Sequence, residues 1–306
     1  MSQRDVRTRI ASVKNIEKIT RAMQMVAAAR LRRAEQRIEA LRPYAEAIRR
    51  MTRQAAEAAE NLPRLPILQE HDSVDRVGLL LVTGDRGLAG AFNSQILRAG
   101  LRAGKEHEGE GRQVSWYASG RRGVSSLSFR GNDVSGAYVG FTDRPGYANA
   151  REIAEDLMAA YSDGTLDRVE IFYNGYISPL TQEVRRETLL PLQQASILDD
   201  EEDGDEGDDE GRGAHPKSQR ALVEYEPGPE EILARLVPDY VEISVYRALL
   251  ESTASEHGAR MTAMRSASEN AGDLIESLTL EMNRARQAEI TQEILEVVAG
   301  ADALTA

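Results

Sequence analysis

The sequence predicts an α/β fold in which two long terminal helices, rather than the central domain, are the dominant feature. Three observations predict it. Both ends of the chain space their apolar residues three and four apart, as coiled-coil helices do. Strand-like and helix-like segments alternate between them, and the two ends carry opposite charge. We therefore divide the 306 residues into an N-terminal helix at 1–60, a central α/β domain at 61–238 and a C-terminal helix at 239–306.

The N-terminal helix is predicted over Gln3 to Ala58, a segment with one proline, Pro43, and no glycine. Its length corresponds to roughly 84 Å if the segment is fully helical. The apolar positions expected to face a partner helix are Val6, Ile10, Val13, Ile16, Ile19, Met23, Val26, Leu31, Ala34, Ile38, Leu41, Ala45 and Ile48.

The C-terminal helix is predicted over Asp239 to Ala299, roughly 92 Å long. A helix of this length must protrude from a domain of this size or pair with another helix. Its predicted partner-facing positions are Ile243, Tyr246, Leu250, Ala254, His257, Met261, Met264, Ala267, Ala271, Leu274, Leu278, Met282, Ala285 and Ala288.

Charge favours pairing of the two terminal helices. Residues 1–53 hold 14 basic and 5 acidic side chains, net +9, whereas residues 239–299 hold 5 basic and 11 acidic, net −6. Opposite charges along helix flanks attract weakly. Small residues such as Ala27 and Ala271 let the backbones approach. We predict a two-helix coiled coil, whose direction depends on the connecting segment.

The segment between the terminal helices predicts a small, Rossmann-like α/β domain with a mostly parallel sheet, because strands and helices alternate. The predicted strands are Val77–Thr83, a segment from Gln113, Arg168–Tyr173, Glu183–Leu190 and Ala221–Glu226; the predicted helices lie near Ser94–Lys105 and Asn149–Tyr161.

An acidic block, Asp199–Gly211, contributes 10 acidic and no basic residues to the net charge of −12. Such a block cannot bury apolar surface to offset its ordering entropy, so a solvated, disordered loop is favoured. Calcium binding and a tether to a partner are the alternatives.

The amino-acid composition excludes several kinds of chemical site. The chain has no Cys, which excludes a disulfide, a thiolate metal site and a cysteine nucleophile. Its four His are scattered without ligand spacing, and we expect no cofactor or metal. The longest aliphatic run, Val77–Val82, is too short to span a bilayer. We expect a cytoplasmic location and only indirect membrane association.

Gly84, Gly87 and Gly90 follow the first predicted strand, where phosphates bind in many α/β proteins. Their spacing matches neither the dinucleotide fingerprint nor the P-loop, so a structural turn is favoured over a phosphate site. The basic N-terminal helix could contact nucleic acid, but its apolar face requires an apolar partner. We therefore expect no nucleic-acid binding.

Four segments carry a family resemblance: RIASVKNIEKITRAMQMVAAARLRRA, DRGLAGAFN, YEPGPEEIL and NRARQAEITQEILEVVAGA. They occur in order along nearly the whole chain, which resembles the gamma subunit of bacterial F-type ATP synthases. The resemblance implies that the terminal helices form an antiparallel, asymmetric shaft inside a ring of alpha and beta subunits. It also implies that the α/β domain lies at the foot of the shaft, on the membrane rotor ring, with one copy of the chain per complex.

The same resemblance implies contacts for individual residues. Met23 lies where the shaft meets an acidic lever of a beta subunit, and Tyr225 and Glu226 lie near the polar loops of the ring of c subunits. The α/β domain would hold the epsilon subunit. The positions that would contact beta-subunit loops are Arg286, Gln287, Thr291 and Glu293.

The implied function is a rotor shaft that couples proton flow to ATP synthesis or hydrolysis in the alpha/beta head and regulates ATPase activity. The active sites belong to beta, and the complex lies on the cytoplasmic side of the cell membrane. Two alternatives are a coiled-coil adaptor that self-associates and an enzyme that binds nucleotide at the Gly84 turn. The four segments favour the shaft, because a generic coiled coil has no reason to carry them.

Overall fold

Two long helices dominate the computed structural model, which describes residues 3–58, 65–192 and 228–305. Helix α1 spans Gln3–Ala58, as the sequence predicts. Helix α5 spans Pro229–Thr305, a length of 77 residues and about 115 Å. The predicted strand at 221–226 and the acidic block at 199–211 lie outside the described residues.

Helix α5 begins ahead of the predicted start at Asp239 and continues through Pro238. Pro229 occupies the first turn, where a missing N–H costs little, and two glutamates in that turn favour the helix dipole. A proline inside a helix normally breaks it. Here the burial of Val237 and Val241 in the core of the central domain compensates.

The two long helices form an antiparallel coiled coil, which confirms the predicted architecture. Val6, Ile10 and Val13 at the start of α1 pack against Ala271 and Leu278. Later residues of α1 pack against earlier residues of α5: Leu31 and Ala34 contact Ala254, and Ile48 contacts Leu236 and Ile243.

The line of α1 residues buried against α5, called here the seam, differs from the prediction over residues 16–26. Ile16, Ile19 and Val26 are exposed by 52%, 59% and 53%. The seam instead passes through Thr20 and Ala27, 8% and 1% exposed. These positions continue the seven-residue spacing of Val6 and Val13, which Ala34 also follows, and the small side chains let the helices approach. On α5, the predicted seam residue Leu274 is likewise exposed.

The central domain has five strands in the order β3-β2-β1-β4-β5. Its pairs are parallel except for the antiparallel β4–β5 pair. The elements are a 3-10 turn at Pro66–Leu68, β1 Arg76–Val82, α2 Phe92–Gly109, β2 Gln113–Ser119, α3 Arg121–Phe129, β3 Val134–Tyr138, α4 Tyr147–Ser162, β4 Arg168–Tyr176 and β5 Gln182–Leu190.

The sheet is covered on both faces, as its aliphatic central strand requires. Leu79 and Leu81 of β1 point to the layer formed by α2 and α3. Leu80 and Val82 point to the opposite layer, formed by α4 together with parts of α1 and α5. The shaft therefore packs on one face of the domain, while α2 and α3 lie on the other. Within the described residues, no helix combines the length and apolar character needed to cross a bilayer.

Candidate functional site

The C-terminal end of α5 extends beyond α1 as a single helix. Every side chain from position 286 to position 300 is exposed, because α1 begins opposite residues 271–282 of α5. Residues 286–305 extend about 30 Å at helical rise. This segment, called here the tip, includes all four predicted contact residues of α5: Arg286, Gln287, Thr291 and Glu293.

The tip carries large apolar side chains without a partner in the described part of the chain. They are Ile290, Ile294, Leu295, Val297 and Val298, with exposed fractions between 46% and 71%. The polar groups bond locally: Thr291 Oγ1 donates to the Gln287 carbonyl at 2.8 Å, and Gln292 Nε2 donates to Glu296 at 3.0 Å. A single helix exposing this much apolar surface indicates a surface that other chains cover.

Met23 lies at a separate level of the shaft. It is half-buried on α1, between Val13, which packs near Ala271, and Leu31, which packs near Ala254. At least 15 residues of α5 therefore separate its level from Arg286, or about 22 Å. The structure does not bring Met23 together with the tip residues, and Tyr225 and Glu226 lie outside the described residues.

The exposed apolar residues of α1 form a stripe beside Met23. Ile16, Ile19, Met23 and Val26 follow one another at intervals of three, four and three, and the first, second and fourth are more than half exposed. The coiled coil consequently presents an apolar side on α1 that neither α5 nor the domain covers.

The side chain of Asp85 links the glycine turn after β1 to two neighbouring segments of the domain. Asp85 accepts hydrogen bonds from the backbone N–H groups of Gly140 at 2.9 Å, Arg121 at 3.1 Å and Thr142 at 3.2 Å, and from the Thr142 hydroxyl at 3.0 Å. Burial alone would raise the pKa of Asp85, but these hydrogen bonds together lower it. The Asp85 carboxylate therefore joins the turn to the start of α3 and to the loop after β3, and its negative charge disfavours a phosphate beside it, which supports the structural turn.

The same turn lies directly against α5. A Cβ on Gly84 would lie 2.7 Å from the Glu256 carboxyl carbon. Arg260 Nη2 donates to Glu256 Oε1 at 2.5 Å and to the Gly87 carbonyl at 3.2 Å. Burial raises the pKa of Glu256 against the opposing effect of Arg260. The pair therefore holds α5 against the loop after β1.

Hydroxyl groups of α5 donate hydrogen bonds to carbonyls near the carboxyl ends of β1 and β4 and in the loop after β3. Ser252 Oγ donates to the Val82 carbonyl at 3.3 Å, and Ser255 Oγ donates to the Asn174 carbonyl at 3.0 Å. Thr253 Oγ1 donates to the Thr142 carbonyl at 3.0 Å. Three successive contacts within one helical turn fix both the height and the rotation of α5 relative to the sheet.

Helix α1 is attached to the same loops from the other side. Arg30 Nη1 bonds Asp143 at 2.6 Å, and Arg86 approaches the same carboxylate at 3.2 Å. The Tyr176 hydroxyl donates to Glu35. Lower on α5, Arg247 Nη2 donates to Glu187 at 2.9 Å. Both helices of the shaft are thus held to the domain by hydrogen bonds and ion pairs, so torque applied to the domain is transmitted to the shaft.

Sequence reasoning missed this attachment site. Its members are Asp85, Asp143, Glu256 and Arg260, which come from three separate segments: the loop after β1, the loop after β3 and helix α5. One signal was available: the stretch ESTASEHGAR at 251–260 places polar residues throughout the middle of an otherwise apolar helix, and almost all of them are buried. Among the described residues, no group of three His, Asp or Glu is arranged to hold a metal ion.

A two-helix coiled coil that has an uncovered apolar tip and is attached to a small α/β domain indicates a stalk-like subunit of a larger assembly. The ATP synthase family model matches residues 2–304. The ATP synthase gamma chain of Rubrobacter xylanophilus is 42% identical, covering 100% of this chain and 99% of the relative. That of Streptomyces coelicolor is 41% identical, covering 97% and 94%.

Solved structures agree in fold. A chain of the Tetrahymena thermophila mitochondrial ATP synthase central stalk and c-ring has 25% identity and a TM-score of 0.59, covering 82% of this chain and 99% of its own length. A chain of the Euglena gracilis mitochondrial enzyme has 17% identity and a TM-score of 0.66, covering 99% and 94%.

The chain belongs to the ATP synthase gamma-chain family, which confirms the resemblance drawn from the four segments. It is accordingly a non-catalytic rotor subunit.

Proposed function

We propose that this gamma chain is the shaft that couples proton flow through the membrane sector to ATP synthesis and hydrolysis in the alpha/beta head. The observation that carries the proposal is the tip: a helix whose large apolar side chains are exposed and have no partner among the described residues. Such a surface fits inside a sleeve formed by other chains. The bonds between shaft and domain let torque applied at the foot reach the tip.

Coupling follows from the unequal sides of the coiled coil. One side carries the Ile16, Ile19 and Val26 stripe, whereas the seam side is covered by α5. As the shaft turns, each beta subunit meets a different side and therefore a different contact energy. Differential contact energy shifts a conformational equilibrium, and with it nucleotide affinity. The same shaft regulates ATPase activity, because its orientation sets which beta conformation is favoured.

The contacts of individual residues are divided among the α1 stripe, the tip and the central domain. Met23 meets an acidic lever of a beta subunit at the level of the α1 stripe. The tip residues Arg286, Gln287, Thr291 and Glu293 meet beta-subunit loops, and their exposure supports this assignment. The domain holds the epsilon subunit and rests on the c-ring through the segment that contains Tyr225 and Glu226. One copy of the chain serves each complex, which is attached indirectly to the cytoplasmic side of the cell membrane.

The experiment uses the absence of native Cys. One cysteine is placed at Glu293 and one on the facing beta-subunit loop, the complex is assembled, and ATP hydrolysis and proton pumping are followed through oxidation and reduction. We expect a gamma–beta disulfide that abolishes pumping reversibly. Continued hydrolysis in that state would show that the tip can swivel.

The matched control places the cysteine at Asp163, an exposed residue of the central domain after α4, with the same beta-subunit partner. This pair should form no disulfide and leave pumping unchanged. Failure of the wild-type chain to assemble with alpha and beta subunits would overturn the proposal.

A further inference from the structure

His257 lies within the contact between α5 and the domain, and it is buried, with 1% of the residue exposed. Its Nδ1 lies 3.3 Å from Nη1 of Arg260, and the backbone carbonyl of Asp143 accepts a hydrogen bond from the ring. An arginine side chain can only donate, so Nδ1 is the acceptor in the first bond and Nε2–H is the donor in the second. These contacts therefore require the neutral ring, with its proton on Nε2.

A second proton on this ring is incompatible with the contact to Arg260. The new Nδ1–H would point at an N–H of the guanidinium, and two positive charges would lie 3.3 Å apart at a place where Arg260 is 8% exposed. Burial and a neighbouring like charge both disfavour the charged ring, and they lower the pKa of His257 to about 4. In mildly acidic solution the ring therefore takes up a proton only by separating from Arg260.

Arg260 is also the residue that connects α5 to the loop after β1. Its Nη2 donates to Glu256 Oε1 at 2.5 Å and to the Gly87 carbonyl at 3.2 Å. Movement of Arg260 away from a protonated His257 breaks both bonds. Glu256 is then buried without its counter-ion, and because burial already raises its pKa, it takes up a proton as well. Protonation of the ring thus removes the hydrogen bond that joins α5 to the loop and the ion pair that positions it.

The charged groups that α1 and the loop after β3 direct toward His257 do not offset this effect. Asp143 favours the charged ring, but its carboxylate is already paired with Arg30 of α1 at 2.6 Å and with Arg86 at 3.2 Å. Arg30 itself lowers the pKa of the ring. A protonated His257 would therefore compete with two arginines for one carboxylate.

The remaining elements around this contact also provide no site for a charged ring. In the loop after β1, Asp85 acts on Glu256 and raises its pKa, but its carboxylate is bonded to backbone N–H groups. The turn between β4 and β5 presents Pro179 and Gln182 beside Gly258, and neither side chain is charged.

We infer that His257 is an acid-sensitive switch: protonation of its ring releases residues 256–260 of α5 from the loop after β1, while the coiled coil and the sheet stay folded. The coiled coil persists because its seam residues, such as Val13 and Leu278, do not titrate. The release is a property of this chain by itself. A further step, which rests on the proposed function, is that release weakens the transmission of torque between the domain and the shaft.

The experiment is amide hydrogen exchange of the full chain at pH 7 and pH 5, followed by mass spectrometry and corrected for the intrinsic effect of pH on exchange. The matched variant is His257→Gln, whose side-chain oxygen can accept from Arg260 and whose nitrogen can donate to the Asp143 carbonyl, but which takes up no proton. The pKa of the ring is about 4 in the closed contact and 6.5 after release. Opening at residues 84–90 and 252–260 should therefore rise about twentyfold more in the wild type than in the variant.

Low concentrations of urea distinguish release from global unfolding. At pH 5, exchange of the wild type at 84–90 and 252–260 should be faster than in β1 and nearly independent of urea, whereas exchange in β1 should accelerate with urea. An equal pH response of the wild type and the variant would overturn the inference, and so would exchange at the contact that matches β1 in rate and urea dependence.

If the variant does not fold, the ¹⁵N spectrum of the wild-type ring provides the test. A proton on Nε2 alone at pH 7, together with release at pH 5, supports the switch. A proton on Nδ1 at pH 7 contradicts it, because Nδ1 could not then accept from Arg260.

Membranes that carry the complete complex test the consequence for coupling. The ratio of proton pumping to ATP hydrolysis should fall between pH 7 and pH 5 by a larger factor in the wild type than in the His257→Gln variant. Release without a difference in this ratio would refute the coupling step alone. Failure of the chain to assemble with alpha and beta subunits would refute the shaft proposal but not the switch.

Discussion

Gly84 shows how one residue can set the distance between the shaft and the domain. Its missing side chain leaves room for the buried Glu256 carboxylate, and its N–H donates to Asn93 Oδ1 at 2.8 Å. The glycine is required here because α5 approaches closely, not because a phosphate binds. The motif that suggested nucleotide binding is therefore an attachment point for α5.

Replacement of Gly84 by Ala should destabilise the protein by about 1–3 kcal/mol. The new Cβ would meet Glu256, which Arg260 holds in place. The free energy of unfolding in urea measures the effect. The matched control is Gly272→Ala on α5, where a Cβ meets nothing within 4 Å; it should stabilise by about 0.5–1 kcal/mol. Equal stability of the Gly84→Ala protein and the wild type would contradict the packing described here.

His257 gives the shaft attachment a pH dependence. Burial, followed by the nearby Arg260, lowers the pKa of His257 to about 4. The unfolded chain therefore takes up the proton first as the pH falls, so the stability that neutral His257 provides is present above its ordinary pKa of 6.5 and is lost between 6.5 and 4. Asp143 partly opposes the shift, and Arg30 adds to it.

The wild type should lose about 2 kcal/mol more stability between pH 7 and pH 5 than the His257→Gln variant. Urea unfolding of both proteins at the two pH values measures this difference. The comparison separates the effect of His257 from that of Glu256. Burial raises the pKa of Glu256, which is the opposite direction to the shift of His257. Identical pH dependence in the two proteins would show that His257 is not held neutral.

At the scale of elements, α1 has two apolar sides with different roles. The seam residues stabilise the chain itself, whereas the exposed stripe contributes nothing until another subunit covers it. Spacing of apolar residues alone cannot separate the two sides, because the stripe continues from Val13 at intervals of three and four, whereas the seam continues through residues that are polar or small. Thr20 and Ala27 belong to the seam because α5 packs against them, which the sequence of α1 alone does not show.

Two neighbouring substitutions separate these roles. Val13→Ser should lower the free energy of unfolding by about 2 kcal/mol, because Val13 is buried in the seam. Ile16→Ser should change it by no more than about 0.5 kcal/mol, because Ile16 is exposed. Chemical unfolding followed by circular dichroism measures both. A larger loss for Ile16→Ser than for Val13→Ser would restore the originally predicted seam.

Sequence patterns predicted the long, periodic elements best. Helix α1 matches at both ends, and six of the strands and helices of the domain were placed within a few residues. Helix α3 and strand β3 were missed, because GVSSLSF and VSGAY are short and contain glycine and serine. The polar stretch at 251–260 indicated buried polar contacts of α5, but their partners could not be predicted because they are distant in sequence; Arg260 and the Gly87 carbonyl are 173 residues apart. The contacts of Met23 and the tip came only from the resemblance and remain proposals.

At the scale of the whole molecule, the acidic block is expected to be dispensable. Deletion of residues 199–211 should leave assembly and coupling intact, because a segment without apolar side chains has little to contribute to a packed interface. Proton pumping by membranes that carry the deletion measures this. The control is deletion of a tip segment of similar length, residues 288–300, which should abolish coupling. Loss of pumping in the acidic-block variant would instead assign that block a role in the complex.

The antiparallel pairing of the two ends has a consequence for synthesis on the ribosome. Val6 packs in one cluster with Leu278, so roughly 270 residues must be translated between them, which takes roughly 15–50 s at common elongation rates. During that interval α1 has no partner for its apolar seam, while the central domain can fold behind it. The start of α1 is therefore made long before its partner, and its apolar seam must be kept from aggregating until residues 271–282 of α5 have been translated.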